Sequence, residues 1–458
     1  MIGFRLKTLV ALAGVVAGLG LVAPCPLAGA GPSKHFILAN GLQVFLYEKH
    51  DLPLLHVVTG FDVGSKDESD ATSGLVHLLE HCILFRGTAA RSGAQVGADI
   101  RRHGAYFNGS TGQDLSAFEI SLPAEYADFA LRNQKEILFG LELGQEEIDR
   151  EKEIILEEYS QMEDDPERSA ADLVLQALFP GHPYGRSVYG RREVIETATA
   201  AGLAAFHRRY FVADSCAIAV VGDFETGDME RRVREIFGPL ARTGFERPDF
   251  PMATPLKKSS SQRLERDVRE GYLLIGFAAP DYNHSDQYGM NVLVEALGRG
   301  INPLLTGFLY GQRDSVQNVS MTYLAFRFGG AAIVSIKADP KDLAAVERAA
   351  VSFLKRAHSA SFSRKDFAGL EAEMAAFDYL EMAKNQIRFA TGRAEESGLH
   401  LAGSLVRYML LNTRPDPGRY LDAIARVDSG DLRKVASRYL ARSEYAAVSV
   451  VPKPPRSR

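Results

Sequence analysis

Cysteine is scarce in this chain, with three among 458 residues. Cys25 lies in the first thirty residues, so a chain trimmed there keeps only Cys82 and Cys216. That excludes a fold held by a disulfide framework, and both remaining cysteines read as buried thiols. Basic runs are missing too. Lys plus Arg number 53 against 58 Asp plus Glu, a formal net charge of −5, and no positive stretch is long enough to grip a phosphate backbone, which argues against a nucleic-acid partner. Beyond the N-terminus no apolar run reaches the eighteen or so residues a spanning helix needs, so no membrane span is expected in the mature chain. Histidine and cysteine do not cluster repeatedly, as a metal store or carrier would require.

What is present describes a folded protein, with 46% apolar and 24% charged side chains. At about 100–200 residues per domain, the length predicts two to four domains. Arg5 and Lys7 precede an apolar stretch from Leu9 to Ala23, followed by the small-residue sequence Ala28-Gly29-Ala30. That is the order of a secretory signal peptide over residues 1–30, with cleavage near Ala30 and export to the periplasm or beyond. An uncleaved anchor is the alternative.

The segment His35 to Leu46 around Asn40-Gly41, and Leu54 to Val63, read as two antiparallel strands. Ser73 precedes a helical pattern from Gly74 to Phe85, and Tyr126 to Phe139 and Gln145 to Met162 read as further helices. Two distant segments repeat: a helix ending in Arg209-Tyr210 leads to the apolar strand at Ala217, and one ending in Arg438-Tyr439 leads to that at Ala446. The tyrosines stand 229 positions apart, about half the chain, which indicates two similar domains. The Pro- and Ser-containing stretch 242–262 reads as their linker, giving domains over 31–241 and 263–452 and a polar tail over 453–458. In the second half Gly271 to Phe277 reads as a strand and Asp286 to Leu297 as a helix, so the fold class is α+β, with two homologous mixed domains.

His77-Leu-Leu-Glu80-His81 places two imidazoles four residues apart on one helix face, where both can bind one metal ion, with Glu80 turned towards the same side. This is the inverted His-x-x-Glu-His order of a class of zinc peptidases, although a solvated His/Glu face would look the same. A catalytic zinc commonly takes three protein ligands. Glu151 and Glu158 lie two turns apart on one helix face, so Glu158 is a candidate third ligand and Glu151 a candidate support for a ligand or substrate. Cys82 points about 100° away from His81 and reads as core.

The residues Gly64-Ser-Lys-Asp-Glu68, Gly74 to Thr88, the Glu151 and Glu158 pair 77 residues beyond His81, Asn108 to Phe118 and His182-Pro-Tyr-Gly185 resemble the pitrilysin or insulinase group of zinc peptidases, which includes mitochondrial processing peptidase. The resemblance implies two homologous α+β domains forming half of a clam-shell around an extended peptide. It implies one zinc ion on His77, His81 and Glu158, with Glu80 as general base and Asn108 on the strand region that pairs with substrate. Self-contained members carry an Arg and a Tyr seven residues apart in the second half. The best alignment here puts Leu309 and Val316 at those places, with Arg313 and Tyr323 as a gapped alternative. The expectation is therefore an exported zinc endopeptidase in which a related partner subunit, or a second copy, supplies that pair. The alternative is a non-catalytic structural or chaperone-like subunit of the same fold.

Overall fold

The structure is a computed structural model that describes residues 33–359, 362, 378–411, 419–441 and 444–454. The signal-peptide segment and the end of the polar tail lie outside the described residues.

The first half builds a six-stranded sheet from β1 (Ser33–Ile37), β2 (Gln43–Glu48), β3 (Leu54–Phe61), β4 (Tyr106–Thr111), β5 (Ser116–Pro123) and β6 (Cys216–Gly222), in the order β1-β2-β6-β3-β5-β4. The turn between β1 and β2 needs Gly41, whose φ is 92° and whose added Cβ would lie 2.8 Å from that of Asp214. The strands predicted around Leu46 and Leu54 are both present, but β6 inserts between them, parallel to β2 and antiparallel to β3. A fully buried strand of this kind can take that central place because all seven of its residues are buried.

The second half repeats the plan with β7 (Ser260–Arg266), β8 (Gly271–Ala279), β9 (Val316–Phe326), β10 (Gly329–Ala338) and β11 (Tyr445–Pro452), in the order β7-β11-β8-β10-β9. Its one parallel pair, β7 with β11, answers to β2 with β6. The polar run assigned to the end of the linker is therefore partly strand: β7 starts at Ser260, and its mostly exposed residues hide it from a hydropathy pattern.

Each half lends a helix to the other's sheet. The helices of the first half include α1 (Leu75–Phe85), α2 (Gly93–Arg102), α3 (Ala127–Phe139), α4 (Gln145–Asp164) and α5 (Pro166–Leu178). Helices α1 and α3 cover one face of the first sheet, burying Leu78, Leu79, Leu131 and Ile137 against Val57, Phe61 and Phe118. Its other face is covered by the helix Gly398–Leu411 from the second half, through Leu405, Val406 and Met409. Reciprocally, Ala170, Ala171, Val174 and Leu178 of α5 pack on Leu274, Val448 and Val450 of the second sheet. Glycines make room for both: an added Cβ on Gly60 of β3 would lie 2.3 Å from Val406, and one on Gly276 of β8 would lie 2.4 Å from Val174. Gly60 pairs with Ala217 and Gly276 with Ala446, the residues that open the repeated strands.

A buried polar network also ties the halves. Asp62 is fully buried and meets Lys66 at 3.4 Å, Arg327 at 2.9 Å and Arg247. Burial alone would raise its carboxyl, but Lys66, Arg327 and Arg247 together hold it below the usual range. Tyr184 donates to Asp114 at 2.6 Å and accepts from the Phe328 backbone N–H at 3.0 Å. Tyr184→Phe strands both partners in the interior, so a loss of about 1–3 kcal/mol in unfolding free energy is expected from denaturant titration.

Candidate metal centre

Helix α1 is started by a side chain from outside it. Gly74, at φ 97°, carries no cap of its own, and the Glu68 carboxylate accepts from the backbone N–H groups of Gly74 at 2.9 Å and Val76 at 2.8 Å. The N-cap is Gly74, so Ser73, which precedes the helical pattern, does not cap it. Gly190 sits against this start, where a Cβ would come within 2.3 Å of the Gly74 Cα.

Along α1, His77, Glu80 and His81 are each less than a tenth exposed and share the face turned towards α4. The two rings meet edge to face with centroids 4.9 Å apart. Helix α4 brings Glu158 to them: its Oε2 lies 3.6 Å from His77 Nε2 and 3.5 Å from His81 Nε2. Two turns back, Glu151 is fully buried, with Oε2 3.2 Å from His81 Nδ1 and its other oxygen paired with Arg86. Glu80 takes a hydrogen bond from the Thr111 hydroxyl at 2.5 Å. Strand β4 approaches this closely because Gly109 faces Glu80, where a Cβ would stand 3.0 Å from Cγ.

The electrostatics follow from burial and from these neighbours. Burial, together with the adjacent His81, lowers His77 to about 4. Burial works against charge on His81 as well, yet Glu151, Glu158 and Glu80 raise it to about 9. Burial lifts Glu80 to about 6, although Thr111 and His81 pull the other way. Glu158, partly open to solvent, is held below the usual carboxylate range because His81 and His77 outweigh its desolvation.

The donor set fits a zinc ion. Bond lengths of about 2.0–2.2 Å in a tetrahedral site put ligand atoms roughly 3.3–3.5 Å apart, close to the two His–Glu158 separations of 3.6 and 3.5 Å. All three donors lie within 4.8 Å of one another. Two imidazoles and a carboxylate suit zinc better than a hard cation, which prefers oxygen alone. Glu151 fixes the His81 ring by accepting from Nδ1–H, the usual outer partner of a ligating histidine. Glu151→Gln is expected to weaken zinc binding by about 10- to 100-fold, measured by competition with a chelator.

Asn108 lies on β4, the edge strand of the first sheet. It alternates with Gly109 and Thr111, which touch Glu80, so it shares a face with Tyr106 on the other side, near Glu119. Cys82 is fully buried and desolvation drives its thiol upwards, so it is core and not a fourth ligand. His207 and His182 bond backbone carbonyls of Leu138 and Pro251, and His103 stacks on Phe129. Thr111, Arg86 and Tyr189 were not picked out by sequence as site residues. Tyr189 meets the His77 ring edge to face at 5.8 Å. Thr111 stands three residues after Asn108, at the end of the same strand, and that proximity was the available signal.

The second half holds no such centre among the described residues. Strand β9 is the counterpart of β4 in sheet order, and Met321 there presses on Gly298, where a Cβ would lie 2.4 Å from that of Met321. Leu309 is fully buried, and Tyr323 is buried with its hydroxyl bonded to the Pro280 carbonyl at 2.7 Å. Tyr323 thus cannot serve as the free partner of Arg313.

A paired two-sheet fold with a His, His, Glu centre beside the edge strand of the first sheet is the arrangement of a metallopeptidase. The comparisons give the family. Residues 54–192 match the model of the insulinase family (Peptidase family M16), and residues 197–374 match that of the Peptidase M16 inactive domain. The chain belongs to the M16 family. An uncharacterised zinc protease of Mycobacterium tuberculosis is 27% identical over 338 residues, 72% of this chain and 76% of that one. Another, from Rickettsia bellii, is 23% identical over 90% of this chain and 96% of its own. Among solved structures, a protease from Helicobacter pylori superposes with a TM-score of 0.82 at 20% identity, covering 92% of this chain and all of that one. The Peptidase M16 inactive domain from Pseudomonas fluorescens gives 0.81 at 18% identity, over 93% and 100%.

Proposed function

We propose that this chain is an exported zinc endopeptidase that cleaves extended peptides or unfolded segments. The observation that carries the reading is the convergence of His77, His81 and Glu158 on one point, with Glu80 buried beside it and the free edge of β4 alongside. His77 and His81 would hold one zinc per chain through Nε2, and Glu158 through Oε2. When bound, zinc acidifies a water and polarises a carbonyl. The Glu80 carboxylate, oriented by Thr111, takes a proton at its free oxygen and hands it to the leaving amine. Glu151 keeps His81 in the tautomer that leaves Nε2 free. The outer N–H and C=O groups of β4, which pair with no strand among the described residues, would give an extended peptide main-chain hydrogen bonds and little side-chain selection.

Leu309 and Val316, at the places of the expected Arg and Tyr, support a second subunit as their source, either a related chain or a second copy. Export rests on the N-terminal sequence pattern, and the N-terminus of the mature protein tests it: a chain beginning at Met1 overturns it. The activity is tested by purifying the mature chain, counting its zinc and assaying an unstructured quenched-fluorescent peptide library with and without chelator. Zinc near one per chain and chelator-sensitive cleavage are expected. Absence of zinc would favour the non-catalytic subunit instead.

A further inference from the structure

We propose that Tyr189 is a positioning residue for His77: its ring holds that imidazole in the orientation zinc needs, as the Glu151 carboxylate holds His81. This rests on the zinc reading above and assigns a role that the ligand set leaves open.

The two histidines of the centre are supported unequally. A ligating imidazole is ordinarily anchored through the ring nitrogen that faces away from the metal. His81 follows that pattern, with Nδ1 3.2 Å from Glu151 Oε2 and Nε2 3.5 Å from Glu158. His77 turns Nε2 to the same Glu158 oxygen at 3.6 Å, but its Nδ1 is buried and has no hydrogen-bond partner among the described residues. The outer torsion of a histidine is broad and roughly two-fold, so an unanchored ring can turn over and offer carbon where Nε2 should be.

What restrains His77 is aromatic. The His81 ring stands against it at 4.9 Å and 88°, and the Tyr189 ring at 5.8 Å and 86°. Ring quadrupoles favour perpendicular pairs at such distances, and turning either ring towards a parallel sandwich loses that preference. His81 is itself a ligand, so Tyr189 is the restraint that comes from outside the donor set. Its backbone is mounted on the helix that carries His77. Tyr189 N–H donates to Ser187 Oγ at 3.3 Å, and the next residue, Gly190, has φ 78° and packs so closely on Gly74 that a Cβ would lie 2.3 Å from the Gly74 Cα. Arg191 N–H then donates to the Ser73 carbonyl at 3.3 Å. Tyr189 is thus tied to the start of α1, about one turn before His77, and ring and ligand share one mount. The Tyr189 hydroxyl makes no hydrogen bond among the described residues, so the ring carries the role.

The test is the zinc affinity of the full-length chain, read by competition with a chelator, for Tyr189→Phe and Tyr189→Leu. The Phe variant keeps the ring and is expected to stay within about twofold of wild type. The Leu variant keeps apolar bulk but loses the ring, and is expected to bind zinc about three- to tenfold more weakly. The unfolding midpoint of the metal-free chain is measured alongside, because a purely structural role would lower it without moving the zinc affinity. Val188→Ala, next along the chain and as deeply buried, is the control: a lower midpoint with unchanged zinc affinity is expected. Should the Leu variant fail to fold, Tyr189→Met takes its place with the same expectation. Wild-type zinc affinity in the Leu or Met variant, a Phe variant weakened as much as the Leu variant, or a Val188→Ala chain that loses zinc equally, overturns the role of the ring while the ligand assignment stands. Wild type that holds no zinc overturns the zinc reading and this inference with it.

Discussion

Glu80→Gln is expected to keep the wild-type zinc content and to lower peptide turnover by about 10²- to 10⁴-fold, the contribution of a positioned acid–base group. The amide has the shape of the carboxylate, and its oxygen can still accept from Thr111, whose hydroxyl lies 2.5 Å from Glu80 Oε2 in the parent. What the amide cannot do is hold and release a proton. The fold should tolerate the change, because burial already lifts the Glu80 carboxyl to about 6, so the native interior gains little from its charge. Zinc by plasma emission and progress curves on one quenched peptide, both in the assembly that wild type requires, decide the matter. Turnover within tenfold of wild type would remove Glu80 from the role of base. Loss of zinc together with turnover would make it a ligand.

The centre was legible because its parts are local or periodic. His77, Glu80 and His81 fall within five residues, and Glu151 and Glu158 fall two turns apart, so helix geometry alone orders each set. The meeting of α1 with α4 is a tertiary fact: the three-ligand habit of a catalytic zinc makes Glu158 a candidate, and the family resemblance adds the long-range spacing that pairs it with His77 and His81. The residues that sequence missed act across elements: Glu68 caps α1 from a loop, Thr111 reaches Glu80 from a strand, and Tyr184 bridges Asp114 to Phe328 across the two halves. No periodicity marks such residues, because each is defined by a partner far along the chain. The repeat was legible at Tyr210 and Tyr439, yet the exchange of helices between the sheets was not. Its signature is a glycine in the interior of a central strand of each sheet, Gly60 of β3 and Gly276 of β8, and a glycine inside an apolar run reads as a weakness until the helix that fills it is seen.

His81→Ala is expected to lose both zinc and turnover. If the roughly 10–16 kcal/mol of a protein zinc site is spread over its ligands, one of three accounts for about 3–5 kcal/mol, or roughly 10²- to 10⁴-fold in affinity. His81 carries more than its share of the geometry, since it alone joins both acids of α4: Nε2 lies 3.5 Å from Glu158, and Nδ1 lies 3.2 Å from Glu151. Its removal leaves Glu151 fully buried with only Arg86 opposite, so some loss of stability comes with the loss of metal. Cys82→Ala separates the two effects. That side chain is equally buried but points into the core of the first half, so it should lower the unfolding midpoint while zinc and turnover stay near wild type. A His81→Ala chain that keeps full zinc at chelator concentrations that strip Glu151→Gln would contradict the ligand assignment. The order expected from the geometry is the reverse: the ligand variant emptied first, the variant of its supporting acid next, and the neighbouring core variant last.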